Sequence, residues 1–433
     1  MRSIVRLRTS ALAVAALAAT AALAGCGGGD SAAKDDKSVT IWSSIDQPVQ
    51  DGLNKVLTEK AKAEGITIKW QKVENINQLI MQKIQANDTP DIALIPQPGV
   101  VADIVKRGKA FPLDDVLDMD ALKGSMTPGT LEAGTVDGKL YGLLASMNVK
   151  GLVFYNKEAW DKAGYKAPAS LDELNTLTEQ IKADGRTPWC MGIESDTATG
   201  WPATDWFEEL IAKTAGPDEY NKWVKHETPF DSDVVKTAAA EFEKLMFTEG
   251  NVLGGRKAIA STNFGTAGNP MFDKGGPKCW MYNQGSFITG FFPDDVKSDL
   301  DNKVGLFGLP PATAGGDNPV VGGGDLAVML DDSASTKTAM KLLSATDVGT
   351  EAAKNSSFIS PHKDFDVANY PNETTRSVAK VAYDSTAFLF DGSDQMPGEV
   401  GAGTFWKDMT AWIAGQQDLA TTLKNIDASW PAS

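Results

Sequence analysis

The chain has 433 residues, of which 41 are basic and 57 acidic, and its formal net charge is −16. A negative field of this size repels phosphate backbones, so nucleic acid is not an expected partner. The stretch from Val39 to Trp430 is too long for a single hydrophobic core, and its length predicts two domains.

Residues 1–25 have the features of an export signal. Three arginines near the start are followed by a short apolar run of Ala, Val and Leu at 11–22. That run is too short for a spanning helix, which needs about 20 residues. Small residues then lead to a cleavage site, as in secretory signals. No later stretch reaches the length of a membrane span, so none is predicted.

The cleavage site ends in a cysteine, and Leu23-Ala24-Gly25-Cys26 resembles the lipobox of bacterial lipoproteins. The resemblance implies cleavage before Cys26, a diacylglycerol on its sulfur, and a mature protein anchored outside the cytoplasmic membrane. Residues 26–38 are small and polar, which is typical of a flexible linker. The alternative is an ordinary secretory signal followed by an incidental cysteine.

Strands and helices alternate from the start of the long body. The predicted strands are 39–42, 66–70 and 91–95, and the predicted helices are 46–64, 77–86 and 99–107. Repeated strand–helix units with apolar strands predict an α/β fold, in which parallel sheets are covered by helices on both faces.

The middle of the chain contains a long apolar run at 143–155. It exceeds one strand within one domain, so we interpret it as a strand that leaves one domain and enters the next. Before it, Asp137-Gly138 predicts a tight turn. After it, the capping box at 170–173 predicts a helix to about residue 184. Residues 322–325 are interpreted as a loop between two strands, and the tail from 375 as largely helical.

The cysteines predict one disulfide. There are three, and lipidation would consume Cys26. Cys190 and Cys279 then remain in an oxidising compartment, where disulfides persist, so we predict that they are joined. The alternative is two free buried thiols. No metal site is expected, because two thiols with only His226 and His362 are a poor ligand set.

Motifs of catalysis are missing from the sequence. It contains no phosphate-binding loop, no zinc helix with paired histidines and no nucleophile elbow. Gly322-x-Gly324-x-x-Ala327 matches a dinucleotide fingerprint formally, but it leads into an apolar strand rather than a helix. A glycosidase needs two carboxylates across a sugar, and no such pair is marked. The sequence therefore predicts no enzyme activity and no cofactor.

Tryptophans beside polar residues are the candidate ligand-binding feature. Trp42, Trp201 and Trp406 are flanked by small and polar residues, and Glu194 and Asp205 stand near Trp201. The apolar face of a sugar ring stacks on flat aromatic rings, and its hydroxyls bond to carboxylates. This composition favours a sugar site.

The order of several motifs along the chain resembles the extracellular solute-binding proteins of carbohydrate ABC importers. These motifs are VTIW at 39–42, TPDI at 89–92, DGKLYG at 137–142 and LVFYNK at 152–157. Segments 189–194, 200–206, 278–280 and 400–406 resemble the alpha-glucoside-binding branch of this maltose-binding group more narrowly. Ser286 stands where maltose-binding relatives often carry a tryptophan.

The resemblance implies a two-lobe periplasmic-binding-protein-like α/β fold, whose parallel-sheet lobes are discontinuous in sequence and joined by crossover segments. Residues 39–146 and 315–365 would form lobe 1, and 150–310 and 370–430 lobe 2. The sugar would lie between them. The implied ligand-binding residues, with Asp205 added from its place beside Trp201, are Trp42, Asp46, Gln97, Glu194, Trp201, Asp205, Gly324, Asp325 and Trp406.

The sequence thus predicts a lipid-anchored, monomeric receptor outside the cell membrane. It would bind an alpha-glucoside or a short oligosaccharide and deliver it to the membrane subunits of an ABC permease. One alternative is a surface-tethered glycoside hydrolase. The other is a receptor for a non-sugar solute, such as a peptide or a polyamine.

Overall fold

The structure is a computed structural model that describes residues 37–431. The predicted signal at 1–25 and the predicted lipidation site Cys26 lie outside the described residues. Within the described range, no helix combines the length and the apolar character needed to cross a membrane.

Strands and helices alternate at the start of the described range, and helices dominate between residues 157 and 272. The strands are β1 Ser38–Ser43, β2 Thr67–Lys72, β3 Ile92–Ile95, β4 Thr135–Val136, β5 Lys139–Leu140, β6 Gly142–Val149, β7 Leu152–Asn156, β8 Tyr282–Gln284, β9 Val304–Gly308, β10 Val320–Met329 and β11 Phe388–Phe390. The α-helices are α1 Gln47–Ala63, α2 Ile76–Ala86, α3 Pro98–Lys106, α4 Met119–Ser125, α5 Lys157–Ala163, α6 Leu171–Ala183, α7 Trp201–Ala215, α8 Pro217–Val224, α9 Asp233–Met246, α10 Arg256–Ile259, α11 Phe264–Ala267, α12 Asp294–Lys297, α13 Leu300–Lys303, α14 Ala334–Leu343, α15 Thr350–Asn355, α16 Glu373–Tyr383, α17 Gly392–Gln395, α18 Trp406–Ile413 and α19 Leu419–Ala428. Short 3₁₀ turns include Ser286–Phe291, and a π-helical turn spans Val400–Phe405.

The first strand–helix unit shows why the local predictions hold. Helix α1 buries Val49, Leu53, Leu57 and Ala61, which recur every four residues and so lie on one face. Gly52 lets this helix approach α15, because a Cβ at Gly52 would lie 2.3 Å from the Cα of Ala352. The six predicted elements from residue 39 to 107 are all confirmed, with ends shifted by one or two residues.

Two further local predictions are confirmed. Asp137 and Gly138 both have positive φ, at 49° and 77°, as a tight turn between β4 and β5 requires. The Ser170 hydroxyl accepts from the backbone N–H of Glu173 and caps α6, while the Glu173 carboxylate accepts from the N–H of Ala169.

The larger sheet has the order β11-β10-β3-β1-β2, and β6 also pairs with β10. Pairs β1–β2, β1–β3 and β10–β11 are parallel, but β10 runs antiparallel to β3 and β6. The smaller sheet, β8-β7-β9, is antiparallel throughout. The α/β class is as predicted, whereas the all-parallel direction is corrected. Strand β10 arrives from the smaller sheet, so no strand–helix–strand unit fixes its direction.

The long apolar run crosses between the two sheets, and its passage from one domain to the next stays a prediction. Strand β6 belongs to the larger sheet and β7 to the smaller one, with only Lys150 and Gly151 between them. Gly151 has φ 63°, and a Cβ there would lie 2.4 Å from the carboxyl carbon of Glu209. Glycine is therefore required at this crossing.

The predicted loop at 322–325 is wrong, because β10 continues through it. The glycines are there to allow close strand pairing. A Cβ at Gly322 would lie 2.3 Å from the Asn148 carbonyl oxygen, and one at Gly324 would lie 2.0 Å from that of Ser146. A register shift at Asp325–Leu326 marks a bulge in this strand.

Two buried apolar clusters underlie the two sheets. One surrounds the larger sheet, with Ile41, Leu94 and Leu326 fully buried. The other lies mainly among helices and includes Trp206 and Trp412. The division into two lobes stays a prediction, with 39–146 and 315–365 as lobe 1 and 150–310 and 370–430 as lobe 2. Strand β11 lies in the last of these segments, and it adds a strand to the larger sheet.

The predicted disulfide is present. Cys190 is bonded to Cys279, with their Cα atoms 5.2 Å apart. Both residues are buried, and Trp189 and Trp280 beside them are buried as well.

Candidate functional site

A cavity of about 240 Å³ lies beside the crossing between the sheets, and we name it the aromatic–acid pocket. Its lining residues are Lys150, Trp201, Asp205, Phe287, Asp391, Ser393, Asp394 and Trp406. Three predicted ligand-binding residues therefore meet here: Trp201, Asp205 and Trp406. They come together although more than 200 positions separate the first from the last.

Helix α7 supplies the first two of these residues. Trp201 opens the helix and Asp205 follows one turn later, so both side chains lie on one face. Gly200 precedes the helix with φ 117°, and a Cβ there would lie 2.4 Å from the Trp406 carbonyl oxygen. The glycine thus lets the backbone before Trp201 pack directly on that of Trp406.

Aromatic rings form one wall of the pocket. The Trp201 ring packs edge-on against Phe264, with ring centroids 4.9 Å apart, and lies 5.8 Å from Phe287. Trp406 opens α18 directly after the π-helical turn, a feature often found at functional sites. Its indole Nε1 is buried and has no hydrogen-bond partner among residues 37–431.

Lys150 is the cation that lines the pocket. Its Nζ donates to Asp205 at 2.9 Å and also to the Asp391 carboxylate. Burial opposes the charge, but Asp205 and Asp391 outweigh burial and hold the pKa of Lys150 well above its usual value. The same ammonium outweighs burial at Asp391 and lowers the pKa of that carboxyl.

The pKa values of the other acids of the pocket are raised towards neutral pH. Burial, opposed by Lys150, raises the pKa of Asp205 to about 7. Burial and the charge of Asp391 raise the pKa of Asp394 to about 7. Beneath them, burial followed by the Asp391 and Asp205 charges raises the pKa of Glu208, which accepts the backbone N–H groups of Gly392 and Ser393. Near neutral pH, the pocket can therefore both accept and donate hydrogen bonds.

Asp205, Glu208 and Asp391 offer oxygens within 4.8 Å of one another, a spacing at which carboxylates can hold a metal ion. Lys150 already contacts two of the three acids. Part of their charge is thus balanced by a side chain of the protein itself.

A second cavity of about 240 Å³ lies against the larger sheet, and we name it the hydroxyl pocket. Its lining residues are Ser44, Ile45, Asp46, Val49, Pro96, Ser146, Met147, Asn148, Asp325, Ser357 and Phe358. Burial raises the pKa of Asp325 to about 6, although the Ser146 hydroxyl donates to its carboxylate at 3.1 Å. Two more predicted residues, Asp46 and Asp325, therefore line this pocket.

Gln97 connects the two pockets. It follows Pro96 of the hydroxyl pocket, and its Nε2 donates to Asp394 of the aromatic–acid pocket at 3.4 Å. Asn77 donates to the Gln97 amide oxygen at 2.9 Å and so orients it. Along the crossing strand, Asn148 lines one pocket and Lys150 the other.

Four predicted residues line neither pocket, and their contact with ligand stays a prediction: Gln97, described above, and Trp42, Glu194 and Gly324. Trp42 is half-buried against the larger sheet, with Lys83 Nζ 5.7 Å from its ring centroid. Glu194 accepts hydrogen bonds from the backbone N–H of Asp196 and from Asn263, which lower its pKa. Gly324 serves the close pairing of β10 with β6.

The sequence analysis missed the acidic segment at 391–394. Its signal is an acid directly after a short apolar strand, β11. Asp391 caps α17 by accepting from the N–H of Asp394 at 2.9 Å, and Ser393 donates to the same oxygen. Lys150 carried a signal too, as a lone charge inside the apolar run at 143–155.

Comparison with known proteins gives a consistent result. Residues 46–345 match the family model described as bacterial extracellular solute-binding protein. The chain is 34% identical over 398 residues to the osmoprotective compounds-binding protein GgtB of Synechocystis sp., covering 92% of this chain and 93% of that protein. It is 36% identical over 383 residues to the alpha-glucosides-binding periplasmic protein AglE of Rhizobium meliloti, covering 85% and 81%.

Solved structures share the fold at low sequence identity. The bacterial solute receptor AcbH, which prefers β-D-galactopyranose, is similar with a TM-score of 0.77 at 16% identity, covering 90% of this chain and 98% of that one. RafE from Streptococcus pneumoniae is similar with a TM-score of 0.70 at 18% identity, covering 91% and 97%. At these identities the likeness concerns the fold alone, and it agrees with the predicted two-lobe α/β architecture.

Proposed function

We propose that this chain, which belongs to the bacterial extracellular solute-binding protein family, binds an alpha-glucoside or a short alpha-linked oligosaccharide across the aromatic–acid and hydroxyl pockets. The family and the relatives described above are binding proteins, so the chain is a binding protein rather than an enzyme. The sugar class is supported by the name of AglE and by the chemistry of the pockets.

The observation that carries the proposal is a wall of aromatic rings facing carboxyl groups within one small cavity. Trp201 and Trp406 offer flat apolar faces for the C–H side of a pyranose. Asp205 and Asp394, which line the same cavity, can accept hydrogen bonds from its hydroxyls. Few other neutral solutes combine an apolar face with a rim of donors in this way.

The hydroxyl pocket suits a second, polar unit of the same ligand. Its short polar side chains, Ser44, Ser146 and Asn148, are of a size that hydrogen-bonds individual hydroxyl groups. Gln97, which follows Pro96 of this pocket and donates to Asp394 of the other, joins the two pockets through the protein.

A polyamine is the second ligand class that the acids suggest, and the arrangement of charge disfavours it. Lys150 Nζ already sits 5.7 Å from the Trp201 ring centroid and contacts Asp205 and Asp391. A second ammonium in this pocket would meet the like charge of Lys150.

The lipid anchor on Cys26, the monomeric state and delivery to an ABC permease complete the proposal. They are supported by the lipobox resemblance and by membership of an extracellular binding family. In this family context, ligand closes the cleft between the lobes, and the permease reads the closed form.

Calorimetric titration with maltose, trehalose, sucrose, cellobiose and spermidine tests the ligand class. We expect at least one alpha-linked sugar to bind, and both the beta-linked cellobiose and spermidine to bind far more weakly. Trp406→Ala should weaken sugar binding by about 2 kcal/mol or more, which is roughly 30-fold, as for a buried aromatic anchor.

Trp430→Ala is the matched control. Trp430 stacks on His226, with ring centroids 4.4 Å apart, and lines neither pocket. Its replacement should leave affinity unchanged. Tight binding of spermidine with no response to any sugar would overturn the proposal.

A further inference from the structure

Phe291 is an exposed aromatic residue next to the aromatic–acid pocket. Its side chain is 48% exposed, the highest value among the large apolar residues in the described part of the chain. It ends the 3₁₀ turn Ser286–Phe291, and Phe287 of the same turn lines the pocket. A single exposed apolar residue is ordinary on a protein surface, so what distinguishes Phe291 is its connection to the pocket.

A continuous row of rings leads from the pocket to this residue. Trp201 lines the pocket and contacts Phe264, with centroids 4.9 Å apart. Phe264 in turn contacts Phe291, with centroids 5.3 Å apart. Gly265 lets the Phe291 ring approach closely, because a Cβ at Gly265 would lie 2.6 Å from Phe291 Cδ1. The ring therefore rests directly on the backbone of α11.

A carboxylate is held beside this row. Glu194 accepts a hydrogen bond from Asn263 at 2.7 Å, and its carbonyl accepts from the backbone N–H of Phe264 at 3.0 Å. Each carboxylate oxygen has capacity for a second hydrogen bond. Polar groups thus accompany the rings outside the pocket, as Asp205 and Asp394 accompany them inside it.

We infer that Phe264, Phe291 and Glu194 form an outer subsite, which stacks and hydrogen-bonds one further sugar ring of a ligand longer than a disaccharide. This inference rests on the proposed function. The aromatic–acid pocket, at about 240 Å³, falls below the range of about 300–1,000 Å³ usual for ligand pockets, so a longer ligand has to leave it. The row of rings provides an apolar surface along that exit.

A docking surface for a protein partner fits these observations less well. Such surfaces present contiguous apolar patches of several hundred Å². Phe291 is a single exposed ring, and its aromatic neighbours connect it inward to the pocket rather than across the surface.

Maltose and maltotriose, which differ by one glucose, are the probes for calorimetric titration. Phe291→Ala should weaken maltotriose binding about tenfold and maltose binding less than about twofold. Glu194→Gln should also weaken maltotriose binding. Val367→Ala is the matched control, because Val367 is the other large apolar residue exposed among residues 37–431, at 41%, and should change neither affinity.

The outcomes separate this inference from the function on which it rests. Equal losses for both sugars, or no loss for either, would overturn the outer subsite and leave the proposed function standing. If the Phe291→Ala variant kept both affinities but lost sugar uptake in cells, the outer subsite would be overturned, and Phe291 would instead contact the permease. If the unaltered protein bound neither these sugars nor any other alpha-glucoside, the proposed function itself would fail, and the subsite with it.

Discussion

Replacing Lys150 by methionine is the most informative perturbation of this protein. Lys150 is the only described cation in contact with Asp205 and Asp391, and the side chains are 13%, 10% and 3% exposed. Removal of one partner of a buried ion pair leaves an uncompensated charge and typically costs about 3–5 kcal/mol. We therefore expect Lys150→Met to lower the free energy of unfolding by about 3 kcal/mol or more at pH 7.5.

The loss should shrink in acid. In the unaltered protein, Lys150 holds the pKa of Asp391 below its usual value, so Asp391 stabilises the fold above its unfolded pKa. Without the ammonium, burial raises that pKa instead. A group with a raised folded pKa destabilises the fold as pH rises, so the variant should recover stability when pH falls from 7.5 to 5.5.

Urea unfolding at both pH values, followed by tryptophan fluorescence, measures these effects. Lys150→Met/Asp391→Asn is the matched control, since asparagine keeps the cap of α17 but removes the orphaned charge, and it should recover more than half of the loss. Lys55→Met removes an exposed ion pair with Glu351 and should matter far less. A cost that is small at pH 7.5, or that does not change with pH, would refute the reasoning.

Three further predictions concern pH, packing and the anchor. The pKa values of Asp205 and Asp394 are both raised to about 7, so the free energy of unfolding should fall as pH rises from about 4 to 7. Asp394→Asn should flatten this slope in calorimetric melts, and an unchanged slope would contradict the prediction. Gly200→Ala should weaken sugar binding more than tenfold in titrations, because its Cβ would lie 2.4 Å from the Trp406 carbonyl oxygen. Gly164→Ala is the control, because Gly164 also has a positive φ but a Cβ there would have no neighbour within 4 Å, so this variant measures the cost of positive φ without a clash. Cys26→Ala should abolish detergent partitioning, and equal partitioning of both forms would exclude the lipid anchor.

The sequence by itself determined the elements whose signals are local. The buried face of α1, the capping box of α6 and the Asp137-Gly138 turn each depend on residues within a few positions of one another. The pairing of Cys190 with Cys279 followed from counting cysteines, and the order of motifs indicated the family. Tryptophans beside polar residues also predicted Trp201, Asp205 and Trp406, which meet in one pocket.

Only the tertiary structure decided which strand neighbours which, and what meets at the pockets. Strand β10 was divided in the sequence reading because glycines commonly mark loops, whereas here they permit close pairing with β6. Lys150 reaches Asp391 across 241 positions, and Gln97 reaches Asp394 across 297. Contacts of that separation are made by the packing of whole elements. They leave no periodic trace near either residue, which is why the acids of 391–394 emerged only once the chain was folded.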